Sequence, residues 1–275
     1  MKKLLVPLLS GVLSVVALMT YFADCYWFGY KGNLFYHYTV FLGTIGDLTG
    51  YDGKFTPAHL WFMLFLFIAS LLLLAVVMLQ RKILPNITFR NMKMWQVFLL
   101  VIFPILFFYI LNFGGKSIGE SFAMVALGYY VFSEDEIIKK LEKFSLLFLI
   151  ITIVTCCIYV YIFVWMGNHD AFICEVLHET AKWCGVLGWI GFGKKYLEKD
   201  NKVTRFLSMR SFPIYIFHFG WIVLIQYYLS KLTSNTICIY FITVAGTLAG
   251  IFLTVEIVRR TPVIRVLFGM QKSGG

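Results

Sequence analysis

Tyr215 and His218 lie three residues apart in the segment Ser211–His218, which reads SFPIYIFH. This segment belongs to an apolar run, Phe206–Leu229, that is long enough to cross a bilayer as a helix. On such a helix, side chains three residues apart share a face. An imidazole at this depth can act as general base for a hydroxyl or can hold a carbonyl oxygen. It can equally be a structural residue hydrogen-bonded to a neighbouring helix, so both interpretations stand.

A second apolar segment carries four ionisable residues at helical spacing. They are Glu175, His178, Glu179 and Lys182, at positions i, i+3, i+4 and i+7, and they are expected to form a stripe on one helix face. One interpretation is a self-neutralised ladder facing the interior of the helix bundle. The other is a proton path or acceptor site with His178 as a further catalytic residue, because ionisable groups within membrane spans are often functional.

Three further residues are candidate substrate contacts. His59 begins an apolar run in the segment PAHLWF. Arg210 and Ser211 precede Tyr215 and lie close to the inner, cytoplasmic boundary of the same span. A lone His at a membrane interface is more often merely hydrated. Glu256 has helical spacing to Arg259 and Arg260, which predicts a local ion pair without a functional role.

The sequence contains none of the common hydrolase, nucleotide-binding or zinc-protease motifs, and its six Cys do not follow a metal-binding spacing. We therefore predict no metal.

Composition places these residues in a membrane protein. Hydrophobic residues make up 60% of the 275 residues and charged residues 14%, against about 25% charged in a typical soluble domain. We predict an all-α, polytopic transmembrane bundle of about eight spans. The spans are Leu4–Phe22, Ala58–Leu79, Trp95–Phe113, Ser117–Phe132, Phe144–Met166, Phe172–Gly191, Phe206–Leu229 and Thr236–Val258.

The net charge of +10 follows topology and does not indicate nucleic-acid binding. Lys and Arg concentrate in alternate connections, which the positive-inside rule assigns to the cytoplasm together with both termini. Residues 1–275 are predicted to form a single membrane domain. Its largest external segment, Ala23–Pro57, is rich in aromatic residues and reads either as an interfacial aromatic belt or as a substrate-facing lid.

Four segments together resemble the acyltransferase-3 family of integral membrane O-acyltransferases, most closely its glucan-modifying, succinyltransferase-like branch. They are Leu4–Val12 (LLVPLLSGV), Ala58–Leu74 (AHLWFMLFLFIASLLLL), Ser211–Leu229 (SFPIYIFHFGWIVLIQYYL) and Glu256–Gly269 (EIVRRTPVIRVLFG). Leu4–Phe22 resembles the third span of the family, so the first two spans are expected to be missing. Phe219–Gly220 also stands where the family commonly has His-x-Pro.

The resemblance implies transfer of an acetyl or succinyl group from cytoplasmic acyl-CoA to a hydroxyl of a glycan or other cell-envelope acceptor. It places His218 and Tyr215 in the wall of the site and His59 at its outer mouth. Acyl-CoA would be a cosubstrate, with no retained cofactor, in a multi-pass protein of the plasma membrane. Two alternatives remain: a transporter or exporter of a glycan or lipid precursor, and a truncated, non-catalytic family member.

Overall fold

The computed structural model describes residues 2–43, 45, 54–84, 88–113, 115–168, 172–198 and 201–270. Twelve α-helices form this part of the chain: α1 (Lys2–Gly11), α2 (Ala17–Trp27), α3 (Leu34–Gly43), α4 (Trp61–Ile83), α5 (Met94–Leu99), α6 (Ile102–Phe108), α7 (Ile118–Tyr130), α8 (Asp135–Val160), α9 (Phe172–Phe192), α10 (Lys202–Leu232), α11 (Thr236–Arg260) and α12 (Pro262–Leu267). Shorter turns and strands complete it: π-helical turns at Val12–Val16, Tyr161–Trp165 and Gly193–Leu197, a 3₁₀ turn at Ala58–Leu60, and the paired strands β1 (Asn112–Phe113) and β2 (Lys116–Ser117). The predicted all-α class is confirmed.

Five helical segments of the described chain are long and apolar enough to cross a membrane. They are Leu4–Trp27, Ala58–Ile83, Asp135–Trp165, Lys202–Leu232 and Thr236–Arg260. Each contains all or most of one predicted span, so five of the eight predicted spans correspond to such helices. The total of eight spans and the cytoplasmic termini stay predictions.

The third predicted span, Trp95–Phe113, is not one continuous helix. It is divided into the short helices α5 and α6, and Phe113 already belongs to strand β1. Pro104 gives a physical reason: it lacks the N–H that would bond to the Leu100 carbonyl, which instead accepts from Phe103 at 3.0 Å. The fourth predicted span becomes the 13-residue helix α7, and the sixth becomes the 21-residue helix α9.

The chain divides into two compact units. The first contains Met1–Ile68, Phe113–Lys116 and Arg205–Gly275. Its core includes the fully buried side chains of Val16, Leu60 and Ile216. Helices α10 and α11 of this unit are antiparallel and touch closely, since a Cβ at Gly250 would lie 2.5 Å from the Trp221 ring. The Trp221 indole N–H donates to the Thr254 hydroxyl at 3.0 Å and ties the two helices together.

The predicted external segment Ala23–Pro57 falls within this first unit. Its described part contains helix α3, whose His37 and Phe41 are buried. One face of α3 therefore packs into the core, and the belt and lid interpretations of the segment both stay predictions. Residues 44 and 46–53 of the segment lie outside the described residues.

The second unit contains Ala69–Asn112 and Ser117–Thr204. Helices α8 and α9 form its centre, with Ile137, Leu141 and Leu187 fully buried. A Cβ at Gly191 would lie 2.2 Å from the Leu141 carbonyl oxygen, so only glycine permits this approach of the two backbones. At the start of α7, the Ser117 hydroxyl caps the helix by accepting from the Glu120 N–H at 3.0 Å.

Candidate active site

Helix α10 presents Tyr215 and His218 together, as their spacing predicted. Both side chains are half-buried, and their ring centroids lie 5.8 Å apart. His59 completes a triangle with them, since its ring centroid is 6.0 Å from that of Tyr215 and 5.5 Å from that of His218. The structure therefore brings together three of the predicted site residues, which we call the imidazole pair (His59 and His218) and its phenol (Tyr215).

Two reciprocal hydrogen bonds join α10 to the 3₁₀ turn that carries His59. The Tyr215 hydroxyl donates to the His59 carbonyl oxygen at 2.5 Å, and His59 Nε2 bonds to the Ile216 carbonyl oxygen at 2.9 Å. These bonds link residues more than 150 positions apart in the chain. They fix the orientation of the His59 ring relative to α10.

The backbone just before His59 is strained. Ala58 has a φ of 45°, a left-handed conformation that costs about 1 kcal/mol for a residue with a Cβ. The Thr56 hydroxyl accepts from the Ala58 N–H at 3.0 Å and supports this conformation. Such strain persists where the surrounding structure imposes it, often at functional sites. Here it turns the chain so that His59 faces α10.

The hydrogen bonds determine which nitrogen of each imidazole carries the proton. A carbonyl oxygen can only accept, so His59 Nε2 and His218 Nδ1, which bonds to the Tyr215 carbonyl at 2.7 Å, are both protonated. In the neutral rings the other nitrogens, His59 Nδ1 and His218 Nε2, carry lone pairs. His59 Nδ1 is buried without a hydrogen-bond partner among the described residues. Each imidazole can therefore accept a proton through its second nitrogen.

An aromatic ring closes one side of the imidazole pair. Phe219 stacks on His59 with centroids 5.4 Å apart and planes inclined by 13°, and it meets the His218 ring edge to face at 5.8 Å. Stacking on one face restricts how His59 can tilt. Sequence reasoning named Phe219 only as a departure from a family pattern and did not predict that it forms a wall of the site.

The polar stripe of α9 belongs to the second unit and has its own partners. Lys182 Nζ donates to Glu120 Oε1 on α7 and to Glu179 Oε1, each at 2.8 Å. His178 Nδ1 lies 3.3 Å from Glu179 Oε1, and its side chain is 58% exposed. Glu175 is exposed at the start of the helix. The self-neutralised ladder thus forms over Glu179 and Lys182, with Glu120 as a partner from another helix that the stripe prediction lacked.

Arg210 and Ser211 have local partners. The Arg210 guanidinium lies over the Phe206 ring at 3.8 Å, donates to the Phe206 carbonyl at 3.2 Å and is 3.9 Å from Glu256 Oε2. Ser211 is exposed, and its hydroxyl donates to the Ser208 carbonyl at 3.0 Å. The predicted local pairing of Glu256 is confirmed, with Arg259 and Arg260 at 2.6 and 2.9 Å. The catalytic and binding roles assigned to all these residues stay predictions.

Sequence reasoning missed a buried pair, Asp24 and His37. His37 Nε2 lies 2.8 Å from Asp24 Oδ2, and the His37 side chain has no exposed surface. The rings of Tyr21 and Tyr30 pack edge-on against the imidazole at 5.6 and 5.3 Å. No spacing rule connects Asp24 on α2 with His37 on α3. The helical spacing of His37 and Phe41 is the one signal that could have indicated a buried face.

No group of three or more His, Cys, Asp or Glu side chains gathers as a candidate metal site within the described parts of the chain.

An all-α bundle with apolar helices of membrane length and a half-buried imidazole pair defines an integral membrane protein with a candidate acid–base site. The sequence model of the acyltransferase-3 family, described as an acyltransferase domain, matches residues 1–256. The chain belongs to this family, as its resemblance predicted. No curated protein and no solved structure matches it. The family supports a membrane acyltransferase in general terms.

Proposed function

We propose that this protein is an O-acyltransferase that moves an acyl group from acyl-CoA to a hydroxyl group, with the imidazole pair as its acid–base centre. The observation that carries the proposal is that one nitrogen of each imidazole bonds to a backbone carbonyl oxygen, which leaves the lone pair of the neutral ring on the other nitrogen. Family membership supplies the reaction class.

The proposed reaction is direct transfer. His218 Nε2 removes the proton of the acceptor hydroxyl as its oxygen attacks the thioester carbonyl carbon. The carbon–sulfur bond breaks, and the imidazolium returns the proton to the departing CoA thiolate, so that the products are an ester and free CoA. Tyr215 is a positioning residue, since its hydroxyl holds the backbone that orients His59.

The finer assignments follow from the resemblance. We propose that the acceptor is a glycan or another component of the cell envelope and that the protein resides in the plasma membrane. The expected acyl group on this basis is acetyl or succinyl. Arg210 and Ser211 remain proposed contacts for donor or acceptor. The predicted roles of Glu175, His178, Glu179 and Lys182 belong to the second candidate function below.

The test uses membranes that contain the full chain and radiolabelled acyl-CoA donors. Transfer of label to a lipid or glycan, together with release of free CoA thiol, is the expected result. His218→Gln should abolish both, whereas Tyr228→Phe, an exposed position on the same helix, should keep them. Absence of label transfer beside an active membrane acyltransferase would contradict the proposal.

One observation favours a second candidate, a transporter. Lys182, Glu120 and Glu179 form a partly buried charge network within apolar helices, and such networks also line ion and proton pathways. Under this proposal, Glu179→Gln would abolish proton-coupled uptake into proteoliposomes while His218→Gln would not. Uptake that depends on neither residue would exclude it.

A further inference from the structure

A cavity of about 490 Å³ lies beside the imidazole pair in the first unit. Helices α2, α10 and α11 line it, largely with aromatic and aliphatic side chains such as Phe22, Trp27, Phe219 and Val223. Its polar side chains include Gln226 and Ser230. This volume is in the range of pockets that hold small organic ligands, and the lining suits a hydrocarbon.

The cavity and the candidate site are adjacent, because they share the side chain of Phe219. Phe219 is part of the cavity wall and also stacks on His59 at 5.4 Å. From Phe219 the lining continues through Val223 and Gln226 to Ser230, along one face of α10. At 1.5 Å per residue this stretch covers roughly 16 Å of helix. The cavity therefore begins at Phe219, next to the imidazole pair, and extends toward the Leu232 end of α10.

Basic residues occupy the opposite end of the same helix pair. Arg210 on α10 approaches Glu256 on α11, which also binds Arg259 and Arg260. Three guanidinium groups therefore meet one carboxylate, and the excess positive charge favours an anion such as phosphate. Along α10 the order is the arginine cluster, then the imidazole pair, then the apolar cavity.

This order matches the order of groups in an acyl-CoA molecule, in which phosphates come first, the thioester next and the acyl chain last. If the phosphates bind near the arginine cluster and the thioester reaches His218, the acyl chain must continue beyond the imidazole pair. The space beyond it is the apolar cavity. A succinyl group would place its terminal carboxylate against apolar walls, which is costly. An acetyl group would leave the cavity walls without contact.

We propose that the cavity binds the hydrocarbon chain of the transferred acyl group, so that the preferred donor is a medium- or long-chain fatty acyl-CoA. This inference rests on the proposed acyltransferase function and replaces the acetyl or succinyl group expected from resemblance. Each methylene added to the donor buries more apolar surface while the chain still fits. Donor affinity should therefore rise about threefold to fourfold per methylene and then level off.

Two adjacent residues of α10 offer a matched pair of variants. Val223 lines this cavity, whereas Leu224 lines a separate apolar cavity of about 290 Å³ in the same unit. Val223→Trp should fill the proposed chain site, and Leu224→Trp should fill the other one. A third variant, Ser230→Trp, places the same bulk at the end of the cavity farthest from Phe219. Because the Ser230 side chain is exposed, we expect this variant to fold.

The experiment uses the purified full chain in lipid nanodiscs with acetyl-, succinyl-, octanoyl-, dodecanoyl- and palmitoyl-CoA. Binding is measured with non-hydrolysable thioether analogues of each donor, and turnover is measured as release of CoA thiol in the presence of membrane extract. We expect the affinity and the turnover measured with dodecanoyl-CoA to exceed those measured with acetyl-CoA at least tenfold. Val223→Trp should lower the dodecanoyl value at least tenfold and change the acetyl value less than twofold.

The controls keep the result interpretable if one variant fails to fold. Leu224→Trp should leave the affinity and the turnover of every donor within twofold of those of the parent protein. Ser230→Trp should weaken the binding of palmitoyl-CoA and leave that of octanoyl-CoA unchanged, because it shortens the cavity from its distant end. Equal effects of Val223→Trp and Leu224→Trp, or affinity independent of chain length, would overturn the inference and indicate that only bilayer lipid fills the cavity.

Failure of the inference and failure of the proposed function give different results. Turnover of acetyl- or succinyl-CoA that Val223→Trp does not change would overturn the chain site and support acyl transfer. Chain-length-dependent binding without turnover of any donor would support the chain site and contradict the acyltransferase proposal. Absence of binding by all analogues would contradict both.

Discussion

The candidate site of the first unit and the charge network of the second satisfy their polar side chains in different ways. In the first unit, His59, Tyr215 and His218 are hydrogen-bonded to backbone carbonyl oxygens. In the second, Lys182 binds the carboxylates of Glu120 and Glu179. A carbonyl uses only one nitrogen of an imidazole and leaves the other with its lone pair, whereas an ion network engages its charges with one another. The first arrangement therefore leaves a nitrogen lone pair available for proton transfer, and the second holds α7 and α9 together.

The largest expected effect tests the reactivity of the first unit. His218→Gln removes the proposed base and should lower acyl transfer by at least about 10²-fold, the usual contribution of general acid–base catalysis. The matched change in the second unit, His178→Gln, should lower it less than about twofold, because His178 is largely exposed beside Glu179. Initial rates of CoA release measure both. An equal loss in the two variants would remove the distinction between the units.

The next effect tests the cohesion of the second unit. Gly191→Val places a Cβ against the Leu141 carbonyl oxygen, and we expect a loss of stability of about 3 kcal/mol or more, as for severe overpacking. Gly193→Val is the control, since a Cβ at Gly193 meets no atom within 4 Å. Thermal unfolding in detergent micelles compares the two variants. A normal unfolding temperature for Gly191→Val would mean that α8 and α9 are not as close as described.

A smaller loss is expected when the charge network loses its cation. Lys182→Ala leaves the carboxylates of Glu120 and Glu179 without their shared partner. Fully buried pairs lose about 3–5 kcal/mol on such a change. These side chains are 23–37% exposed, so about 1–2 kcal/mol is expected here. In the double variant Lys182→Ala/Glu120→Gln, one unpaired carboxylate is removed, which should restore part of the lost stability. A double variant less stable than Lys182→Ala would show that the carboxylate has another stabilising role.

The smallest effect concerns the phenol of the first unit. Tyr215→Phe removes one hydrogen bond to the His59 carbonyl and should cost about 1 kcal/mol of stability. It should also lower kcat by several-fold with little change in KM, because His59 loses part of its orientation. Tyr228→Phe, on the same helix and exposed, should change neither. If Tyr215→Phe changed KM alone, Tyr215 would be a substrate contact and not a positioning residue.

Much of the fold was readable from the sequence because the bilayer limits what a chain can do. Long apolar runs predicted the helices containing Leu4–Phe22, Ala58–Leu79, Phe206–Leu229 and Thr236–Val258, since backbone groups in lipid must bond within their own helix. Trp95–Phe113 was predicted as one span because its residues are largely apolar, although the segment contains Pro104. The break there depends on a single missing N–H, which hydropathy does not register.

The candidate site was readable in part. Helical spacing placed Tyr215 with His218, and Glu179 with Lys182, because both relations are set within one helix. His59 was singled out, but its bond to the Ile216 carbonyl could not be predicted. Glu120 lies in the fourth predicted span, Ser117–Phe132, and matching its charge to that of Lys182 would have suggested their contact.

The helical membrane class, the family and the faces on which polar side chains lie were evident in the sequence, because helix periodicity and the cost of polar groups in lipid act over a few neighbouring residues. Three features emerged with the packed structure: the His59 ring bonds to α10, Asp24 pairs with His37, and an apolar cavity extends from Phe219 toward Ser230. These contacts join segments distant in the chain. They depend on how whole helices pack, and no local pattern of residues encodes that packing.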